Sequence, residues 1–120
     1  MKRDMELIRK IILEVEKAQD DPIHLKIENY SDEEIGYHVY LLIQGGLVEG
    51  IEFPKTFESR LPTATPTNLT WNGHELADAM RSELTWNKAM EKVNKTGGHI
   101  TINVLSQLLS SIIKSVYGLP

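Results

Sequence analysis

Apolar residues recur at three- and four-residue spacing near the start of the chain, which is the period of an amphipathic helix. This pattern predicts a first helix over residues 4–18. From Ile23 to Ile27, apolar and polar residues alternate, which predicts a short strand. Ser31 then precedes three acidic residues, so we expect it to be the N-cap of a second helix. That helix extends to about Gln44, where a glycine pair ends it.

The middle of the chain has the pattern of two strands joined by a loop. Leu47 to Phe53 is predicted to be a strand, and Asn68 to Thr70 a short returning strand. Residues 54–67 between them contain three prolines and four threonines, which predicts a long loop. Together the segments predict a hairpin with a long tip.

Helical periodicity returns in the last fifty residues. We predict a helix from Trp71 to Ser82, another from Trp86 to Lys95 with Thr85 as its N-cap, and a last helix from Thr101 to Val116. We expect residues 1–120 to form a single domain, in which 85–120 is a C-terminal helical extension.

Two local sequences resemble parts of bacterial winged-helix repressors of the ArsR and MarR type. The stretch from Ser31 to Val48 is similar to their recognition helix and first wing strand. Leu69-Thr70-x-x-Gly73 is similar to the turn that leads from the wing to the next helix. The predicted class is therefore α+β, with a winged helix-turn-helix-like core (helix, short strand, helix, two-stranded wing) and extra C-terminal helices.

Most of the chain also resembles one narrower group, the DUF2513 family of phage- and prophage-associated bacterial proteins. The matching stretches are Met1-Lys2-Arg3-Asp4-Met5, Ile35 to Leu42, Gly46 to Gly50, Leu69 to His74, Trp86-Asn87-Lys88 and Lys95 to Gly98. The resemblance implies a winged-helix-like protein of mobile-element origin. It implies no established activity, so no functional residues are carried over.

A helix-turn-helix requires a helix before the recognition helix, and this sequence offers little room for one. Residues 23–30 are available, but Ile23 to Ile27 has the period of a strand. The first helix of the pair is therefore shortened, lost, or formed by Ser31 to Ile35 with a break at Gly36.

The charge of the second helix favours a protein partner over DNA. No lysine or arginine lies between Lys26 and Lys55, a stretch that holds six acidic residues. DNA binding normally draws on several cationic contacts to phosphates. The outward positions of this helix are predicted to include Gly36, and the predicted interaction surface consists of Glu33, Tyr37, Tyr40 and Gln44. Alternatively, these tyrosines pack on the hairpin loop or the last helix.

A DNA-binding transcriptional regulator is the alternative function. It would use helix 32–45 and the wing loop 54–67, with Gln44 and the tyrosines reading bases. Lys55 and Arg60 would contact phosphates, together with the basic residues at the start of the chain. Alternatively, these cations contact no phosphate and are solvated surface charges.

The last helix carries a broad apolar stripe whose partner the sequence does not identify. The stripe consists of Leu105, Leu108, Leu109, Ile112, Ile113 and Val116. It either packs on the first helix of the same chain or pairs two copies into a homodimer.

Composition narrows the remaining possibilities. The chain has 120 residues, a net charge of −4 and no cysteine, which excludes disulfides and cysteine nucleophiles. The four histidines form no metal-binding pair by spacing, and His38 flanks the core side of its helix, as a packed histidine would. We expect no catalytic residues, no metal, no cofactor and no membrane contact. We place the protein in the bacterial cytoplasm, binding a protein partner or itself.

Overall fold

A computed structural model describes residues 1–58 and 60–120; Ser59, within the predicted loop 54–67, lies outside the described residues. The described residues form five helices and one two-stranded antiparallel sheet. The helices are α1 (Met5–Lys17), α2 (Asp32–Gln44), α3 (Trp71–Met80), α4 (Glu83–Lys95) and α5 (Ile102–Val116), and the strands are β1 (Val48–Phe53) and β2 (Thr63–Leu69). The predicted α+β class is confirmed. Among the described helices, none is both long and apolar enough to cross a bilayer.

Contacts divide the chain into two compact units, Met1–Ala77 and Asp78–Pro120. The first unit contains α1, α2, the β1–β2 hairpin and most of α3. The second contains α4 and α5, which pack against each other.

The apolar stripe of α1 supplies much of the core of the first unit, where the helix packs against α2 and β2. Its buried side chains are Leu7, Ile8, Ile11, Ile12 and Val15. Burial of a side chain of this size contributes roughly 1.5–3 kcal/mol. Asp4 begins the helix, because its side chain accepts a hydrogen bond from the Leu7 N–H. The prediction of a helix over 4–18 is confirmed to within one residue at each end.

Ser31 is the N-cap of α2, as predicted, and it forms a complete capping box with Glu34. The Ser31 hydroxyl accepts from the Glu34 N–H, and the Glu34 carboxylate accepts from the Ser31 N–H. The helix then continues unbroken through Gly36 to Gln44. The alternative of a break at Gly36 is therefore wrong, and no helix lies between Lys17 and Asp32.

Gly36 itself is buried, so the prediction that it faces outward is wrong. A Cβ placed there would lie 2.9 Å from the Thr63 Cβ. Glycine therefore allows α2 to approach β2 closely.

Strand β2 is longer than the sequence predicts, because it begins at Thr63 and takes in Pro66. Residues 63–67 of the predicted loop are therefore strand. Threonine suits a strand, and proline is tolerated where pairing is irregular. The register of the hairpin shifts between Glu49 and Gly50, and Gly50 is the partner of Pro66. The bulge thus explains how a proline that suggested a loop lies inside a strand.

The predicted strand from Ile23 to Ile27 is wrong, although its alternation is visible in burial. Ile23 is buried and His24 and Lys26 are exposed, yet the segment forms no strand. Its contact with the sheet is one backbone hydrogen bond, from the Ile23 N–H to the Pro66 carbonyl oxygen. Because proline has no N–H, Pro66 cannot return a hydrogen bond, and a ladder does not form here.

In the second unit the predicted helix starts need one correction. Ser82, and not Thr85, is the N-cap of α4: the Ser82 hydroxyl accepts from the Thr85 N–H, and Thr85 lies inside the first turn, buried. The preceding helix α3 therefore ends at Met80, two residues before its predicted end. The predicted start of the last helix at Thr101 is confirmed to within one residue, and Thr101 is the N-cap of α5.

Candidate functional site

The exposed side of α2 carries a pair of stacked tyrosines. The ring centroids of Tyr37 and Tyr40 lie 6.4 Å apart, and their planes are inclined by 17°. Both side chains are half-buried, in contrast to Ile35, Val39 and Leu42 on the core side of the helix. The three-residue spacing of the tyrosines places them one turn apart on one face.

The predicted interaction surface extends above and below this pair along the same helical face. Glu33 lies one turn before Tyr37, and Gln44 lies one turn after Tyr40; both are exposed. The Gln44 side-chain amide donates a hydrogen bond of 3.4 Å to the Glu52 carboxylate on β1. The α2 surface, defined as Glu33, Tyr37, Tyr40 and Gln44, is thereby connected to the hairpin.

A cavity opens between the α2 surface and the end of the hairpin. Its volume is about 410 Å³. We call it the Tyr40 pocket, and its lining residues are Tyr40, Glu52, Phe53, Pro54, Lys55 and Pro62. Aromatic and proline side chains supply most of the wall, and one carboxylate and one ammonium group are the charges that line it.

Apolar side chains continue outward from the Tyr40 pocket along β1. Ile51 and Phe53 lie two residues apart on the strand, and each is 48% exposed. Phe57, beyond the strand, is fully exposed. An apolar group of this kind on a surface is typical of an interaction site.

Of the hairpin residues that line this pocket, Lys55 was singled out from the sequence, as a possible phosphate contact. Phe53 was placed in a strand and Pro54 and Pro62 in the loop 54–67, with no individual role for any of the three. The sequence did contain a signal for this arrangement. Phe53-Pro54 and Pro62 flank the loop of the predicted hairpin, and a hairpin brings the residues on the two sides of its loop close together. The alternative in which the tyrosines pack on the hairpin loop did not specify which residues of the hairpin would lie beside Tyr40.

The two cations proposed as phosphate contacts are both exposed, but only one of them is placed at the α2 surface. Lys55 lines the Tyr40 pocket, whereas Arg60 does not. The acidic residues of the region are partly engaged. Asp32 forms an exposed ion pair with Lys26 at 2.9 Å, and Glu49 accepts from the Asn68 side chain at 2.7 Å.

His38 belongs to a hydrogen-bond network that fastens the start of the chain to α2. Its Nδ1 donates to the Glu34 carbonyl oxygen at 2.8 Å, and its Nε2 accepts from the Asp4 N–H at 3.0 Å. These contacts specify the neutral tautomer with the proton on Nδ1. The ring is 2% exposed, so the expectation of a packed histidine is confirmed.

Tyr30 completes this network from the other side of Asp4. Its hydroxyl donates to the Asp4 carboxylate at 3.1 Å, and the Lys10 ammonium lies 5.6 Å from its ring centroid. Burial raises the pKa of Tyr30 to about 12, with further contributions from the Asp4 hydrogen bond and the charges of Asp4, Glu6 and Glu34. The network orients α1 against α2 and leaves no histidine on α2 for chemistry.

The apolar stripe of α5 is buried at one end and exposed at the other. Leu105 and Leu109 are fully buried, Leu108, Ile112 and Ile113 are half-buried, and Val116 is 73% exposed. Tyr117 and Leu119, just after the helix, are also exposed. The stripe proposed for pairing two copies is therefore accessible mainly at its C-terminal end.

Residues that bind metals do not gather in the part of the chain that the structure describes. No three His, Asp or Glu side chains there come together in a way that could hold a metal ion. The histidines outside α2, His24, His74 and His99, are exposed.

The described residues form an α+β protein in which the Tyr40 pocket opens beside the α2 surface. A model of a family described as hypothetical protein (DUF2513) matches residues 2–99. The chain belongs to the DUF2513 family. It is also 29% identical over 119 residues to a protein of Haemophilus influenzae described as uncharacterized, with 97% of this chain and 98% of that protein covered. No solved structure matches the chain significantly.

Proposed function

We propose that this protein is a winged-helix-like, non-enzymatic interaction or regulatory module of phage or mobile-element origin. It binds a protein partner through the α2 surface, or a second copy of itself through the last helix, in the bacterial cytoplasm. The observation that carries this proposal is the stacked pair Tyr37 and Tyr40 beside the Tyr40 pocket. Tyrosine is enriched in interfaces because it covers a large area at low cost in conformational entropy.

The order of elements supports the winged-helix part of the proposal. Helix α2 leads directly into the β1–β2 hairpin, and α3 follows the hairpin, as a recognition helix leads into a wing and then into the next helix. The departure is before α2, where residues 18–31 contain a turn at Glu28-Asn29 and no helix. A helix-turn-helix with its first helix lost agrees better with a protein-binding derivative than with a DNA reader.

Electrostatics also favour a protein partner. The segment between Lys26 and Lys55 has six acidic residues and no basic ones, and it includes all of α2 and β1. A duplex approaching α2 would bring phosphates towards these carboxylates. A different observation favours a binding function over a catalytic one. The polar groups of the hydrogen-bond network around His38 are used to stabilise the fold.

One observation keeps DNA binding as the second candidate. Lys55 lines the same pocket as Tyr40, so one cation of the predicted wing loop does lie beside the α2 surface. A regulator of this kind would use helix 32–45 and loop 54–67, with Gln44 at the bases and Lys55 and Arg60 at phosphates.

The test compares capture of host proteins by the wild-type chain and by the double variant Tyr37→Ala/Tyr40→Ala. Trp71→Ala is the matched control, because Trp71 is an exposed aromatic residue that belongs to neither the α2 surface nor the Tyr40 pocket. We expect the double variant to lose the proteins that the wild type and the control both retain. Circular dichroism establishes that all three are folded, and unchanged capture by a folded double variant would contradict the proposal.

A second measurement separates the two candidates. Fluorescence anisotropy with a random-sequence duplex, first at low and then at moderate salt, reports phosphate-driven binding. We expect no binding even at low salt. Binding that weakens steeply with salt and is reduced in Lys55→Ala would favour the DNA-binding regulator.

A further inference from the structure

We propose that the Tyr40 pocket binds a lysine or arginine side chain from a basic segment of the partner protein. This inference rests on the proposed function, and it specifies the chemistry of the partner. The shape and lining of the pocket fit a long side chain, and the charges around the pocket select a cation as its occupant.

The walls of the pocket suit a long side chain with an apolar stem. Phe53, Pro54 and Pro62 present carbon surface, and Tyr40 presents an aromatic ring. Lysine and arginine place their methylene groups along such surface while the charged end stays polar. A cation over an aromatic ring is attracted by its negative face, and arginine also stacks on it.

Tyr37 stacks on Tyr40 and thereby restricts the movement of the Tyr40 ring that lines the pocket. With its neighbour at 6.4 Å and nearly parallel, Tyr40 is held in place before any ligand arrives. Less conformational freedom is then lost on binding.

The charges around the pocket select a cation as the occupant. Glu52 lines the pocket, and the Gln44 amide holds its carboxylate through the 3.4 Å hydrogen bond. Glu33 adds a second exposed carboxylate on the same helical face. The six acidic residues between Lys26 and Lys55 give the whole region a negative potential, which attracts a basic segment and raises its rate of association.

Lys55 provides the means to distinguish this occupant from an anion. It lines the pocket and carries the same charge as the proposed guest. Its removal should therefore strengthen binding of a cation and weaken binding of a phosphate.

The experiment uses the full chain and fluorescein-labelled decapeptides that differ only at three positions, which are arginine, lysine or glutamine. Anisotropy measures affinity, and amide chemical shifts show where the peptide binds. We expect the arginine and lysine peptides to bind more tightly than the glutamine peptide, with shifts concentrated at Tyr40, Glu52 and Phe53.

Two conservative variants test the aromatic ring and the carboxylate, and Lys55→Ala tests the like charge. Tyr40→Leu retains apolar packing and removes the ring, and Glu52→Gln retains the shape and removes the charge. We expect each to weaken arginine-peptide binding by about 3- to 10-fold, in the range of a cation–π contact or a partly exposed ion pair. We expect Lys55→Ala to strengthen it by about 2- to 3-fold, and Trp71→Ala to leave it unchanged.

The inference is overturned if the glutamine peptide binds equally well, if the shifts lie outside the pocket, or if Lys55→Ala weakens binding of the basic peptides. If these results appear while Tyr37→Ala/Tyr40→Ala still abolishes capture of host proteins, the inference fails and the proposed function stands. Salt-sensitive duplex binding that depends on Lys55 overturns both.

Discussion

The Thr70 hydroxyl donates a hydrogen bond of 2.7 Å to the Gly46 carbonyl oxygen, across 24 residues of chain. The Thr70 hydroxyl oxygen also accepts from the Gly73 N–H at 3.0 Å, so Thr70 caps α3. The Thr70 N–H in turn donates to the Leu47 carbonyl oxygen at 3.1 Å. One threonine therefore joins the turn after α2 to the start of α3, and the hairpin between them is closed at its base.

Removal of this hydroxyl should destabilise the first unit. We expect Thr70→Ala to lower the free energy of unfolding by about 1–2 kcal/mol, since it removes an N-cap and a second hydrogen bond. Thr70→Ser keeps the oxygen and should lose less than half as much. Urea denaturation followed by circular dichroism measures both, and equal stabilities for the alanine and serine variants would contradict this role of the hydroxyl.

Gly73 should be the least tolerant glycine of this junction. A Cβ at position 73 would collide with the Leu47 carbonyl oxygen, which is backbone and cannot rotate away. We expect Gly73→Ala to cost about 2 kcal/mol or more, as overpacking does. Gly45→Ala is the matched control, because its Cβ would meet the nearest atom at an ordinary 3.4 Å and its φ is −80°. Thermal denaturation should show a lower midpoint for the first variant only.

The junction around Thr70 also shows which features can be predicted from the sequence and which cannot. Helix bounds followed well from caps and apolar spacing, because those signals are local: Ser31 is the N-cap of α2 as predicted, and α5 begins one residue after the predicted Thr101. Thr85 was mistaken for a cap because Ser82, three residues earlier, offers the same chemistry. The Leu69-Thr70-x-x-Gly73 motif indicated a turn, but its contacts with Gly46 and Leu47 depend on the tertiary fold.

The strands and the candidate site were harder to predict, because they too depend on contacts made only in the tertiary fold. Pro66 signals a loop in isolation, and only its pairing with Gly50 at a bulge shows why a strand accepts it. The alternation from Ile23 to Ile27 predicts a strand, but a strand also needs a partner with free N–H groups. For the α2 surface, helical period alone placed its four residues on one face, whereas the hairpin half of the Tyr40 pocket required the register of β1 and β2.

His38 should contribute to stability and not to binding. We expect His38→Leu to lower the free energy of unfolding by about 1–3 kcal/mol, because the Asp4 N–H then lacks its acceptor. His38→Gln offers an amide oxygen to that N–H and should recover part of the loss. His74→Gln, at an exposed histidine of α3, is the control and should change little. Denaturation of the three variants tests this, and a His38→Leu variant as stable as the control would refute it.

Tyr30 predicts a loss of stability in alkaline solution. Its pKa in the folded chain is raised to about 12 from the ordinary 10.0, mainly by burial. Between these two pH values the unfolded chain has released the tyrosine proton while the folded chain still holds it, so rising pH favours unfolding. The contribution is intact below pH 10 and is lost as the pH approaches 12. Urea midpoints at several pH values should fall more steeply for the wild type than for Tyr30→Phe, and parallel curves would count against the shifted pKa.

The exposed end of α5 predicts where two copies would pair. In the proposed self-association, Val116→Ser/Leu119→Ser should lower the apparent mass in light scattering while leaving unfolding free energy within about 0.5 kcal/mol, since both side chains are exposed. Leu105→Ala should instead cost about 2–5 kcal/mol, because Leu105 is fully buried in the folded chain. The two variants thus distinguish the exposed end of α5, which would pair two copies, from the buried part of its apolar stripe, which stabilises the fold. A wild-type chain that is monomeric at high concentration would exclude self-association through α5 and leave the α2 surface as the proposed interface.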